Sequence, residues 1–215
     1  MYNPPAFAET RVPVLHAAMR DIGLATLVTL DGDGLVASHV PMLVEPAPAP
    51  YGTLLCHVAR ANPQWRAPSR AVEALAVFLG PERYISPSLY PSKAETGRVV
   101  PTWNYVAVHA WGRLETFDDP ARLLDLVTRL TDRHEATRAA PWAVSDAPDD
   151  FVAGQLKGIV GLALTVTRLD GKWKTSQNRP AADRAGVVDG LAATGDADDA
   201  RMAALVRERD PERSR

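Results

Sequence analysis

The sequence predicts a mainly β fold with flanking helices, a β-barrel carrying helical decoration. Three observations predict it. About six apolar runs of strand length recur along the chain, most with period-2 alternation. Gly/Asp and Pro-rich turn signals separate them. The few stretches with the 3.6-residue period of a helix lie around and between these runs. The 215 residues are enough for one core, with room for a small appendage. A hydrophobic fraction of 46% and a charged fraction of 23% are those of an ordinary globular protein.

From the N-terminus, Arg11 to Ile22 reads as a helix, because Leu15, Ala18, Met19 and Ile22 recur at i, i+3, i+4 and i+7. Gly23 stops it. "LATLVTL", the turn "DGDG" and "LVASHVPMLV" form a hairpin. After the Pro-rich loop "PAPAPYG", "TLLCHV" reads as a third strand and "AVEALAVFLG" as a fourth. Between these two, "NPQW" starts a helix, with Asn62 as N-cap and Pro63 in the first helical position. "TWNYVAVHAWGRLETF" is a long strand. Its alternation puts Trp103, Tyr105, His109 and Trp111 on one face and Thr102, Asn104, Val106 and Val108 on the other.

Asp119 and Pro120 open a helix with the stripe Leu123, Val127 and Leu130, and a shorter helix covers Asp149 to Leu156. "IVGLALTVTRLDGK" is a strand with Val160, Leu162, Leu164 and Val166 pointing one way, ending in a turn at Asp170-Gly171. From Arg184 onward the chain is small, charged and helix-prone. Met202, Leu205 and Val206 give it a narrow stripe, suited to packing on the body or on a partner chain.

Composition excludes several classes. The single cysteine, Cys56, rules out an intrachain disulfide. "MYNPPAFAETR" has no basic n-region and no apolar h-region, so no signal peptide is expected. No apolar run approaches the ~20 residues that span a bilayer. The expectation is a cytoplasmic protein with no membrane partner. The formal charge is −2. Contact with DNA is possible through a local patch, but neither the overall charge nor a basic reading helix supports it.

Three polar clusters stand out. "SHVP" and "CHVARANP" place His39 and His57 on or beside apolar strands; either is a satisfied strand histidine or a ligand contact. No Cys/His/carboxylate spacing suggests a metal. "ISPSLYPSK" gathers Ser86, Ser88, Tyr90, Ser92 and Lys93 in a loop stiffened by Pro87 and Pro91. Lys93 suits a phosphate, or is a solvated loop lysine. "GKWKTSQNRP" concentrates donors at Lys172, Lys174, Ser176, Gln177, Asn178 and Arg179, and is either a basic loop or the match to a heterocycle edge. One ligand satisfies all three clusters if it is anionic at one end, planar in the middle and polar along one edge. A flavin mononucleotide has those features. No Rossmann or P-loop signature is present.

These same segments, with "MYNPPAF", "ATLVT", "HVARANPQW", "FLGPERYISPSLYPSK", "VVPTWNYVAVHAWG", "IVGLALTVTRLDGKWKTSQNR" and "GVVDGL", resemble in order the PaiB family of FMN-binding negative transcriptional regulators. The resemblance runs from Met1 to about Leu191. It implies an FMN-binding split β-barrel over residues 1–183, a helical extension over 184–215, and a homodimer whose cofactor sites are lined by both subunits. It implies phosphate contacts from Arg60, Lys93 and Arg179, with Ser86 and Ser92 as hydroxyl donors. His39, His57, Trp103, Asn104 and Tyr105 would frame the ring, and Gln177 and Asn178 its polar edge. Leu89 stands where the family usually has Trp. Two functions are compatible with this: a flavin-binding regulator of transcription, or a flavin-dependent oxidoreductase acting on a small molecule.

Overall fold

A computed structural model describes residues 1–32, 34–66 and 71–211. In chain order these form β1 (Ala8–Glu9), α1 (Val12–Ile22), β2 (Leu24–Asp31), β3 (Gly34–Pro41), β4 (Leu43–Glu45), β5 (Thr53–Ala59) and β6 (Ala74–Ile85). Next come α2 (Ser92–Thr96), β7 (Thr102–Phe117), α3 (Pro120–Glu135), α4 (Asp149–Leu156), β8 (Ile159–Lys174), α5 (Ala181–Ala192) and α6 (Ala197–Glu208). The strands follow the order β3-β2-β6-β7-β8-β5-β4, with β1 added on β8, in a mostly antiparallel sheet that does not close on itself. The fold is the expected mainly β one, a split barrel with flanking helices. The chain divides into two compact units. The first comprises Met1–Thr10, Leu79–Val108 and Asp170–Arg215, the second Arg11–Phe78 and His109–Leu169.

In the second unit, β2 and β3 form the expected hairpin, in register from Leu24↔Pro41 to Asp31↔Gly34. Its turn residue Asp33 lies outside the described residues. Gln64 pins the hairpin from below: its amide donates to the Leu27 and Val36 carbonyls at 3.0 and 3.2 Å, and to Thr29 Oγ1 at 3.1 Å. The short 3-10 helix Pro63–Trp65 delivers it, capped by the Asn62 side chain as its sequence predicts. Helix α3 starts at Asp119 and Pro120 as expected, the Asp119 carboxylate accepting from the Arg122 amide at 2.8 Å. Its buried stripe is Leu123, Leu126 and Leu130, with Val127 at the margin. These leucines pack with Leu43, Phe117, Leu156 and Ala163 into one cluster.

In the first unit, β1 pairs with the end of β8, Ala8↔Lys172 and Glu9↔Gly171. Asp170-Gly171 is therefore not a turn. The strand runs through it because the N-terminal segment supplies partners: Asn3 donates to the Gly171 carbonyl at 2.8 Å, and the N-terminal ammonium meets Asp170 at 2.9 Å. The helical tail packs within this unit. Val187, Val188, Leu191, Met202, Ala203 and Val206 cluster with Ile85 and Tyr90. The expected stripe is thus covered by the chain itself and needs no partner. The expected boundary after residue 183 falls inside α5. Among the described residues no helix is long and apolar enough to cross a membrane.

A close approach of glycine to an aromatic ring in the second unit is at Gly161, where an added Cβ would lie 2.3 Å from the Phe117 ring. Gly161→Ala should destabilise the protein by about 1–3 kcal/mol, as overpacked cores do. The measurement is the urea midpoint at unchanged m. Adding Phe117→Leu should make the pair cost less than the sum of the singles, because the ring is what the methyl meets.

Candidate functional site

The first unit gathers nine of the sequence-predicted site residues: Ser86, Ser92, Lys93, Trp103, Asn104, Tyr105, Gln177, Asn178 and Arg179. They sit on two chain reversals and one strand. The first reversal follows β8. Ser176 turns the chain in the left-handed region, φ 67°, a conformation a non-glycine residue holds only under constraint. The constraint is Asn104, wholly buried on the inner face of β7. Its amide donates to Ser176 Oγ at 3.0 Å, and Ser176 Oγ donates back to Asn104 Oδ1 at 3.2 Å. Gln177 closes the same turn, donating to the Trp173 carbonyl at 2.5 Å and accepting from the Thr175 amide at 2.8 Å. Asn104 and Gln177 thus spend their amides on the protein, and Asn178 is the exposed amide of this turn.

The second reversal is the serine-proline loop. Ser86 caps the 3-10 helix Pro87–Leu89, its hydroxyl oxygen accepting from the Ser88 amide at 3.2 Å. Lys93 Nζ donates to Ser88 Oγ at 3.0 Å and is otherwise turned to solvent. Ser92 is committed to Asp183, donating its hydroxyl at 2.7 Å and its amide at 3.1 Å. Tyr90 joins the two reversals: Lys93 N donates to its carbonyl at 3.0 Å, and the Arg179 guanidinium lies 4.7 Å from its ring centre. A cleft of about 520 Å³ opens here, lined by Ser88, Leu89, Tyr90, Pro91, Lys93 and Ala94.

On β7 the outer face carries Trp103, 51% exposed and edge-on to Tyr84 at 6.1 Å, and Tyr105, with Lys172 and Lys174 at 5.3 and 6.0 Å from its ring. Lys174 Nζ donates to Thr102 Oγ1 at 2.5 Å and to the Trp103 carbonyl at 2.8 Å. Burial, then repulsion from Lys172 and Arg179, holds its ammonium below the ordinary lysine value. Among the described residues none of Lys93, Lys172, Lys174 and Arg179 is paired with a carboxylate. Tyr90 OH and Thr175 Oγ1 are buried without a hydrogen-bond partner. Unbalanced cations, two free buried hydroxyls and an exposed indole fit an aromatic ligand with a phosphate, such as FMN. Lys172 and Lys174 were singled out in the sequence as donors but not as site residues. Their signal is that lysine is scarce in a chain whose basic residues are nearly all arginine.

His39, His57 and Arg60 belong to the second unit. His39 is exposed on β3, its Nδ1 3.0 Å from Thr26 Oγ1. His57 is half-buried on β5 with Nδ1 unpartnered, and burial lowers its pKa. Arg60 is a brace: it donates to the Lys157 and Ile159 carbonyls at 2.8 and 3.0 Å, with Asp118 at 3.7 Å. Its guanidinium is occupied by backbone the sequence does not show to be near. Among the described residues no cluster of three His, Cys, Asp or Glu could hold a metal.

Residues 1–168 match the family described as "Putative FMN-binding domain". An uncharacterised protein of Aspergillus fumigatus is 32% identical, over 97% of this chain and 97% of its own length. The Bacillus subtilis "Protease synthase and sporulation protein PAI 2" is 29% identical, over 97% of this chain and 98% of its own. Among solved structures, the flavocytochrome Anf3 of Azotobacter vinelandii shares the fold, with a TM-score of 0.55 and 12% identity over 78% of this chain and 69% of that one. Together with the site's chemistry, these similarities place the chain in the PaiB-type family of FMN-binding split-barrel proteins, with FMN as its cofactor.

Proposed function

We propose that the chain is a homodimeric, FMN-binding regulator of the PaiB type, which represses transcription in response to a ligand or to the redox state of its flavin. The observation that carries the cofactor part is the set of cations in the first unit that, among the described residues, no carboxylate balances. Lys93, Arg179 and Lys174 hold the phosphate, with Ser86 and Ser88 as hydroxyl donors beside Lys93. Trp103 and Tyr105 face the ring, and Asn178 meets its polar edge. Asn104, Gln177 and Ser92, already committed to protein groups, position these residues rather than touch the ligand. Bound FMN supplies reversible electron exchange, and the protein supplies binding and orientation. The regulatory part rests on end-to-end similarity to the Bacillus subtilis protein, whose name ties it to protease synthesis and sporulation.

A homodimer is supported by one face of the second unit. Cross-strand pairs Val28↔Ala37 and Leu30↔Leu35, with Leu75 beside Val28 and Val77 beside Thr26, leave an apolar surface on β2, β3 and β6. Leu35 is 78% exposed and Leu24 55%. A self-complementary copy of the same face is the simplest cover for such a patch. Light scattering at micromolar concentration should give about twice the chain mass of 23.2 kDa. A monomer would remove the dimer from this reading.

Fluorescence titration tests the phosphate contacts. Lys93→Ala and Arg179→Ala should each weaken FMN by about 10- to 150-fold, the worth of one charge-assisted contact, and leave riboflavin nearly unchanged. Equal weakening of both flavins would reject the phosphate role. The regulatory reading is tested in cells. Transcripts altered by deleting the gene should return with the wild-type protein and not with Lys93→Ala. Restoration by both would detach regulation from the flavin. Rapid bleaching of bound FMN by NADPH would point instead to an oxidoreductase.

A further inference from the structure

We propose that α5 is the clamp that sets the phosphate loop, with Asp183, Gly186 and Gly190 as its positioning residues. This rests on the reading that the loop presents Lys93 to the FMN phosphate. The three residues recur at i, i+3 and i+7 and so share one face of the helix. That face meets the loop at three successive points. The Asp183 carboxylate, buried, takes both the amide and the hydroxyl of Ser92. Gly186 abuts the loop backbone: a Cβ there would lie 2.2 Å from the Leu89 carbonyl oxygen and 2.9 Å from Pro91 Cδ. Gly190 receives the Leu89 side chain, 2.4 Å from where its Cβ would be.

Neither glycine is required by its backbone, since both sit within a regular helix with no positive φ. Each weakens the helix relative to alanine. What offsets that cost is close approach to Leu89. This also gives Leu89 a role: it fills the notch that the two glycines leave. Its neighbour Tyr90 packs on Val187, Val188 and Leu191 of the same helix, with its hydroxyl buried and unpartnered at the cleft.

The loop transmits this grip to the charged group. Lys93 is bonded through its amide to the Tyr90 carbonyl and through Nζ to Ser88, and Leu89 and Ser92 lie between and beside these anchors. A shift of the loop on α5 moves the ammonium. The ring-facing residues Trp103 and Tyr105 are on β7 and do not depend on this contact.

The test uses the full chain, with FMN and riboflavin affinities and thermal midpoints measured for Gly190→Ala, Gly186→Ala and Asp183→Asn. Gly190→Ala and Asp183→Asn should each weaken FMN by about tenfold, the loss of one misaligned charge-assisted contact, and change riboflavin by less than about twofold. Leu89→Ala should restore FMN affinity to Gly190→Ala, because the obstructing atoms are side chain. It should not restore Gly186→Ala, whose obstruction is backbone. If Gly186→Ala fails to fold, the other two variants still decide. Lower thermal midpoints with FMN affinity unchanged, or with both flavins weakened alike, would reduce α5 to ordinary packing and overturn the proposal. Lys93→Ala in the same titration separates the two levels. If it costs FMN affinity while the α5 variants do not, the clamp fails alone; if it costs nothing, the phosphate loop fails and the clamp with it.

Discussion

Ser176 in the left-handed region, held by Asn104, is the constraint on which the first unit's site depends. A left-handed serine costs roughly 1 kcal/mol or more and persists only when its surroundings over-determine it. Here the determinant is a reciprocal pair of hydrogen bonds to a wholly buried amide, reinforced by Gln177 across the same turn. That one dihedral sets the direction in which the chain leaves β8. It decides where Asn178 and Arg179 project and where α5 begins. Arg184 then donates to the Arg179 carbonyl at 2.7 Å, so the helix in turn fixes the residue that precedes it. A polar residue in the middle of a strand here holds a strained turn.

The division of labour between arginine and lysine follows from their chemistry. Arginine is the common cation of this chain, and the planar fork of its guanidinium suits carboxylates and carbonyls. Arg83 gathers Asp196, Asp198 and Asp199 at the start of α6, Arg209 pairs with Glu9 and lies over the Trp173 ring, and Arg60 staples two carbonyls. Three of the four lysines, Lys93, Lys172 and Lys174, take no carboxylate among the described residues. Point charges on flexible stems are suited to an anion that arrives and leaves.

Much of the fold was legible because its signals are local. The hairpin β2/β3, the caps at Asn62 and Asp119 and the span of α4 each depend on a few neighbouring residues. What was misread depends on distant ones. Asp170-Gly171 has the composition of a turn, and only Asn3 and the two-residue strand β1, far away in sequence, make it strand. That the Arg60 guanidinium rests on the Lys157 and Ile159 carbonyls is likewise set about a hundred residues away. The glycines of α5 look like helix weakeners, and their reason lies about a hundred residues earlier at Leu89. Side-chain commitment, as opposed to side-chain type, is what a single sequence does not carry.

The family match ends at residue 168, while Lys172, Lys174 and Arg179 follow it. Lys174 is held below its ordinary pKa by burial and by two neighbouring cations. For a lysine whose charged form is disfavoured in the folded state, protonation opposes folding below the folded pKa, and that opposition fades as pH rises through it. An anion bound beside Lys174 would reverse the sign of this effect and stabilise the fold by mass action. The segment after residue 168 thus concentrates positive charge, and on the function proposed above that charge is what the flavin phosphate meets.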